Sequence, residues 1–143
     1  MTTPPITLDQ LTKVFGSRRA VDGVSLTVPE GQVFGFLGPN GAGKSTTIRC
    51  LLGLHRPTSG RAVVLGSDPA TGVAAFRREV GYLPGELHLP DRLTGGDVLA
   101  RFGRLRGVRD TAYRDALVER FGADLTRPLG VLSKGNKQKL GLV

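Results

Sequence analysis

One run constrains this chain more than any other: Gly38-Pro39-Asn40-Gly41-Ala42-Gly43-Lys44-Ser45-Thr46. It fits G-x-x-x-x-G-K-[ST], a pattern whose backbone can wrap a phosphate. Residues 32–37 (QVFGFL) ahead of it predict a short apolar strand. Residues 47–52 after it predict the start of a helix, with Ile48, Leu51 and Leu52 on one face. Strand, glycine loop and helix are the context in which the pattern carries chemistry.

That chemistry follows from residue type. Gly38, Gly41 and Gly43 lack a Cβ, so the backbone can take φ > 0 and approach an anion closely. The N–H groups of residues 41–46 can then converge on a phosphate. The helix start near Gly43 adds unpaired amides and the positive end of a helix dipole. Lys44 can reach the β- and γ-phosphates as a point charge. The Ser45 hydroxyl suits Mg²⁺, with Thr46 a polar neighbour in the first turn.

The sequence of 143 residues is long enough for one domain with a sizeable core. It contains no apolar run of about 18 residues, so no membrane-spanning segment is expected. Met1-Thr2-Thr3-Pro4-Pro5 lacks the basic and apolar regions of a secretory signal. The single cysteine, Cys50, excludes a disulfide within the chain and lies among apolar residues, where core packing is its simplest role. Net charge is +8, most of it from arginine scattered along the chain, and only 6% of residues are aromatic. That pattern fits a solvated basic face, or one near a membrane partner, better than a nucleic-acid platform.

Residues 6–15 and 20–28 alternate apolar and polar around a turn at 16–19, as antiparallel strands do. Phe15 precedes that turn; an aromatic there can stack on a base or simply fill a core. Residues 61–66 and 79–83 predict two further short strands, and residues 71–76 a short helix. His55 is a lone histidine beside a loop, where a solvated side chain is expected, and His88 lies in a later loop with no second ligand spaced for a metal. Residues 94–106 predict an amphipathic helix with Val98, Leu99, Phe102 and Leu105 on one face, opened by a Thr94–Asp97 capping box and closed at Gly107. Residues 110–121 predict a second helix that buries Tyr113, Ala116, Leu117 and Phe121. Ser133 is a good N-cap for a last helix, whose amides from Gly135 onward would make a second anion site.

Two anion-binding helix starts in this order resemble the nucleotide-binding domain of ATP-binding-cassette (ABC) proteins. Residues 38–45 are similar to the family's Walker A motif. Leu132-Ser133-Lys134-Gly135-Asn136 is similar to its signature motif, usually LSGGQ, in the form found in bacterial drug- and antibiotic-exporting members. Gly60 and Gly66 about a strand, and Val80-Gly81-Tyr82-Leu83-Pro84 leading to Leu93-Thr94, also stand where the family has them. The resemblance spans nearly the whole chain.

The resemblance implies an α/β fold: a P-loop NTPase core with an N-terminal antiparallel β-subdomain and an inserted α-helical subdomain, incomplete at the C-terminus. Residues 1–93 would hold the β-subdomain and phosphate-loop part, and residues 94–143 the helical subdomain and the start of the signature helix. It further implies ATP and Mg²⁺ as cofactors, with Phe15 on the adenine, Gly38, Pro39, Asn40, Gly41, Ala42, Gly43, Lys44, Ser45 and Thr46 on the phosphates, and Ser45 on the metal. Ser133, Lys134, Gly135 and Asn136 would act in trans, on ATP held by a second copy in a head-to-tail dimer. Closure of that dimer would drive export through a transmembrane permease, placing the protein at the cytoplasmic face of the membrane. The family's metal-contacting glutamine is replaced by Gly85 here; the adjacent Glu86 is the substitute the sequence offers. The family's Walker B aspartate, catalytic glutamate and switch histidine follow the signature helix, so they are expected beyond Val143, and ATP hydrolysis is an expectation for the parent protein. Two alternatives stay open at this point: a nucleotide-binding fragment that lacks hydrolysis, and a soluble cassette protein acting on nucleic acid or ribosomes. A phosphoryl-transferring kinase would leave residues 132–136 unexplained.

Overall fold

The computed structural model describes residues 3–71 and 74–143. They fall into two compact units, Met1–Gly81 and Tyr82–Val143.

The first unit is built on three antiparallel strands, β1 (Ile6–Phe15), β2 (Arg18–Val28) and β3 (Ser59–Val64), in the order β2-β1-β3. Ile6 pairs with Val28 on one side and Val64 on the other, and Phe15 pairs with Arg18 across the hairpin. Leu8 and Leu11 are both buried although they stand three positions apart. Strict alternation would put them on opposite faces. The register shifts between them, where Gln10 takes φ 46, and this bulge returns Leu11 to the core side. The Ser25 hydroxyl holds the bulge by accepting from both the backbone N and Nε2 of Gln10, each at 2.9 Å.

Helix α1 (Lys44–Leu51) packs on this sheet, and Cys50 joins Leu8, Leu11, Val21 and Ala62 in one core. Its buried residues are Thr47 and Cys50, while Ile48 turns outward. The face expected from Ile48, Leu51 and Leu52 is therefore rotated. Thr47 can be buried because its hydroxyl donates to the Gly43 carbonyl at 3.1 Å.

Residues 32–37 do not form the expected strand, and Val33, Phe34 and Leu37 are exposed. Residues 79–83 are likewise irregular. A strand is defined by its neighbours, and among the described residues neither segment has one. In place of the short helix expected at 71–76 there are 3-10 turns at Pro69–Thr71 and Ala74–Arg78; residues 72 and 73 lie outside the described residues.

The second unit holds α2 (Gly95–Arg106), α3 (Ala112–Phe121) and α4 (Lys134–Leu142), with a 3-10 turn at Leu129–Val131. The expected capping box opens α2: the Thr94 hydroxyl accepts from the Asp97 amide at 3.1 Å, and the Asp97 carboxylate accepts from the Thr94 amide at 2.9 Å. Gly107 closes the helix, as its position predicts. Val98, Leu129, Leu132 and Leu140 make the core of this unit. Val98 and Leu99 are buried, but Phe102 and Leu105 are exposed, so the apolar face of α2 is covered only over its first half. In α3 no residue is buried, Tyr113 and Ala116 are exposed, and Leu117 and Phe121 are half-buried. Helical spacing marks a face, and the neighbours decide whether it is covered.

Candidate functional site

The site is set by how α1 begins. Gly43 precedes the helix with φ 86, in the left-handed region. A Cβ there would lie 2.3 Å from the Ala20 carbonyl oxygen of β2. Both the turn and the contact with the sheet require glycine. The loop also turns at Pro39, whose carbonyl accepts from the Ala42 amide at 3.2 Å. The first helical amide with an acceptor in its own turn is Thr47, bonded to the Gly43 carbonyl at 2.8 Å. The amides of Lys44, Ser45 and Thr46 come before it and have no acceptor within the helix. No side chain caps this end and no acid stands in the first turn, so its positive potential is uncompensated.

Lys44 folds back over the loop. Its Nζ donates to the carbonyls of Gly38 at 2.5 Å and Pro39 at 2.8 Å. The ammonium is thus held against the loop by the backbone on which it sits.

In front of this helix start opens a cleft of about 590 Å³, lined by Phe15, Arg18, Ala20, Asn40, Gly41, Gly43, Lys44, Ser45, Thr46, Arg49 and His55. Small-molecule sites run from roughly 300 to 1,000 Å³. The lining carries Lys44, Arg18 and Arg49 and no carboxylate. Neither Arg18 nor Arg49 makes an ion pair among the described residues. An anionic ligand would therefore meet cations that no internal acid neutralises. Phe15 also lines the cleft and is 44% exposed, so part of its ring is open to a ligand. The Lys13 ammonium sits 4.9 Å from the centre of that ring.

Of the residues singled out by sequence, Phe15, Asn40, Gly41, Gly43, Lys44, Ser45 and Thr46 meet in this cleft. Gly38, Pro39 and Ala42 shape the loop behind it through the contacts above. Ser133, Lys134, Gly135 and Asn136 lie in the second unit, as does Glu86, which is exposed. Ser133 caps α4 as expected, its hydroxyl accepting from the Asn136 amide at 3.3 Å. Leu132, just before it, is buried.

Arg18, Arg49 and His55 were not singled out as lining residues by sequence. Two of them had a signal. Arg18 faces Phe15 across the hairpin, and Arg49 stands one helical turn after Ser45. His55 had none, because forty positions separate it from Phe15 and only the folded chain joins them.

Cys50 belongs to the floor of this unit and not to its chemistry. Burial raises its thiol pKa, an effect only partly offset by the Lys13 charge, so it stays a protonated core residue.

Comparison with known proteins points the same way as this geometry. The family model described as "ABC transporter" matches residues 21–143. The chain is 39% identical over 145 residues to the daunorubicin/doxorubicin resistance ATP-binding protein DrrA of Streptomyces peucetius, covering 98% of this chain and 44% of that protein. It is 41% identical over 142 residues to ATP-binding cassette sub-family A member 7 of Rattus norvegicus, covering 94% of this chain and 6% of that protein. The chain thus spans less than half the length of either relative. A solved structure of the ATP-binding subunit of an ABC transporter superposes with a TM-score of 0.83 at 28% identity, over 98% of this chain and 60% of the solved one. The antiparallel sheet, the glycine loop and the helices after it are part of the ABC ATPase fold. With the family model covering residues 21–143 of the 143, the chain belongs to the ABC transporter family.

Proposed function

We propose that this chain binds ATP as part of the ATP-binding subunit of an exporting ABC transporter. The base lies against Phe15, the phosphates lie on the amides of residues 41–46 and on Lys44, and Ser45 offers its hydroxyl to Mg²⁺. What carries the reading is the cleft itself: the uncapped start of α1, the Lys44 ammonium and an open aromatic ring line a single space with no carboxylate in it. Mg²⁺ would neutralise phosphate charge and order the triphosphate.

Ser133, Lys134, Gly135 and Asn136 are assigned to the triphosphate of a second copy. The exposure of Ser133, Lys134 and Gly135 on top of a buried Leu132 supports this, since a rigid base presents polar groups outward. Glu86 is the residue offered at the family's glutamine position. Hydrolysis, a transmembrane permease as partner and a place at the cytoplasmic face of the membrane complete the proposal for the protein that carries this chain; the likeness to the Streptomyces drug-resistance ATP-binding protein supports the exporting role.

Lys44→Ala tests it. A hydrogen bond from a charged group contributes about 1.5–3 kcal/mol, so ATP affinity should fall roughly ten- to a hundredfold in equilibrium dialysis, with the far-UV circular dichroism unchanged. Wild-type affinity in the variant would remove the phosphate-loop reading.

A further inference from the structure

We propose that His55 is a base-recognition residue of this cleft, touching the rim of a purine nucleobase that lies against Phe15. The inference rests on the nucleotide reading above and adds to it a residue that reads the base.

Three observations carry it. First, the rings of His55 and Phe15 meet nearly at right angles, with centres 5.3 Å apart and planes at 75°, and both residues line the same cleft as Lys44. Two rings at this angle form a corner. A flat base stacked on Phe15 would present its rim, where its donors and acceptors lie, toward the imidazole.

Second, the corner is built and held. The His55 amide donates to the Arg49 carbonyl at 3.1 Å, which ties it to the end of α1. Lys13 Nζ donates to the Arg56 carbonyl at 2.8 Å, the Thr58 amide to the Thr12 carbonyl at 2.8 Å, and the Val14 amide to the Thr58 hydroxyl at 3.0 Å. These bonds fasten the segment carrying His55 to the strand carrying Phe15. A side chain on such a support meets a ligand with little ordering cost.

Third, the imidazole is half-buried and makes no hydrogen bond among the described residues. A histidine kept for packing can fill space with carbon alone. This one presents a ring nitrogen pair, one donor and one acceptor in the neutral form, to the cleft, whereas Arg18, which pairs with Phe15 across the hairpin, offers donors only. Purine rims offer both kinds of partner.

The test compares ATP with inorganic tripolyphosphate, which has the phosphates and no base. Binding is measured for the wild type, His55→Ala and His55→Phe. Loss of one neutral hydrogen bond predicts about three- to tenfold weaker ATP binding in both variants, with tripolyphosphate affinity unchanged. His55→Phe keeps a ring against Phe15 and guards against collapse of the corner; wild-type ATP affinity in that variant means packing alone and overturns the proposal. Equal losses for ATP and tripolyphosphate overturn it too, because His55 would then only shape the loop. The two readings separate cleanly. A wild type that takes up neither ligand overturns the nucleotide assignment and this inference together. A wild type that binds both ligands, weakened by Lys44→Ala and indifferent to His55, overturns this inference alone.

Discussion

Gly43 shows how one residue couples the site to the fold. Its backbone lies in the left-handed region at φ 86, and a Cβ would lie 2.3 Å from the Ala20 carbonyl oxygen. Alanine here meets two penalties. The left-handed conformation costs roughly 1–2 kcal/mol. The clash is with backbone of β2, which cannot rotate aside as a side chain would. The start of α1 must therefore move away from the sheet, and the amides of residues 44–46 move with it. Gly43→Ala should lower the melting temperature and abolish measurable ATP binding, where Lys44→Ala weakens binding with little effect on the melt. A Gly43→Ala protein with the wild-type melt and wild-type affinity would refute the link between loop and sheet. The pattern G-x-x-x-x-G-K-[ST] made this loop legible in the sequence, because every required residue is local. His55 was not legible, because its partner Phe15 is reached only through β1 and the Lys13 and Thr58 contacts that bind the two segments.

The elements divide along the same line. Helix α2 was readable to its ends, since Thr94, Asp97 and Gly107 are local signals of start and stop. Helix α3 was readable as a helix, but its expected buried face is largely open, since spacing alone does not say what covers it. Between α3 and the last helix, Asp124 organises the turn. It accepts from the Thr126 amide at 2.9 Å, the Arg127 amide at 3.2 Å and the Thr126 hydroxyl at 3.0 Å, and pairs with the Arg127 guanidinium at 2.5 Å. The guanidinium first, then the two amides, hold its carboxyl far below the ordinary carboxylate range. Asp97 is lowered by its capping bonds to Thr94, and Asp115 by Arg114 and then Thr111. All three bind protons more weakly folded than unfolded. Their contribution is fully present above the unfolded value of about 3.9 and is lost as the pH falls toward the folded values. Melts followed by helical circular dichroism should therefore shift downward between about pH 5 and pH 3. Asp124→Asn keeps an acceptor but not the charge, so its melts should start lower at pH 7 and depend less on pH. An equal slope in variant and wild type would remove Asp124 from the explanation.

For the whole molecule, the least legible feature is the segment 32–37. Its composition is that of a buried strand, yet Val33, Phe34 and Leu37 are exposed and no described strand pairs with it. The sequence correctly marked the segment as apolar; strand formation failed because pairing depends on a neighbour and not on the segment's own residues. Contiguous exposed apolar surface of this kind attracts other apolar matter. The 143-residue chain should bind a fluorescent apolar dye in its native state. The dye must be uncharged, because a protein of net charge +8 would collect an anionic one by electrostatics alone. Leu105 provides the control. It is exposed as well, beside Phe102 on the open half of the α2 face, but Arg101 and Arg106 border that strip and keep its apolar surface narrow. Val33→Thr with Leu37→Ser should remove most of the dye signal and leave the circular dichroism unchanged, while Leu105→Lys should remove little. A signal that follows Leu105 instead would mean that the apolar contact surface lies on the helical unit and that segment 32–37 is covered in solution.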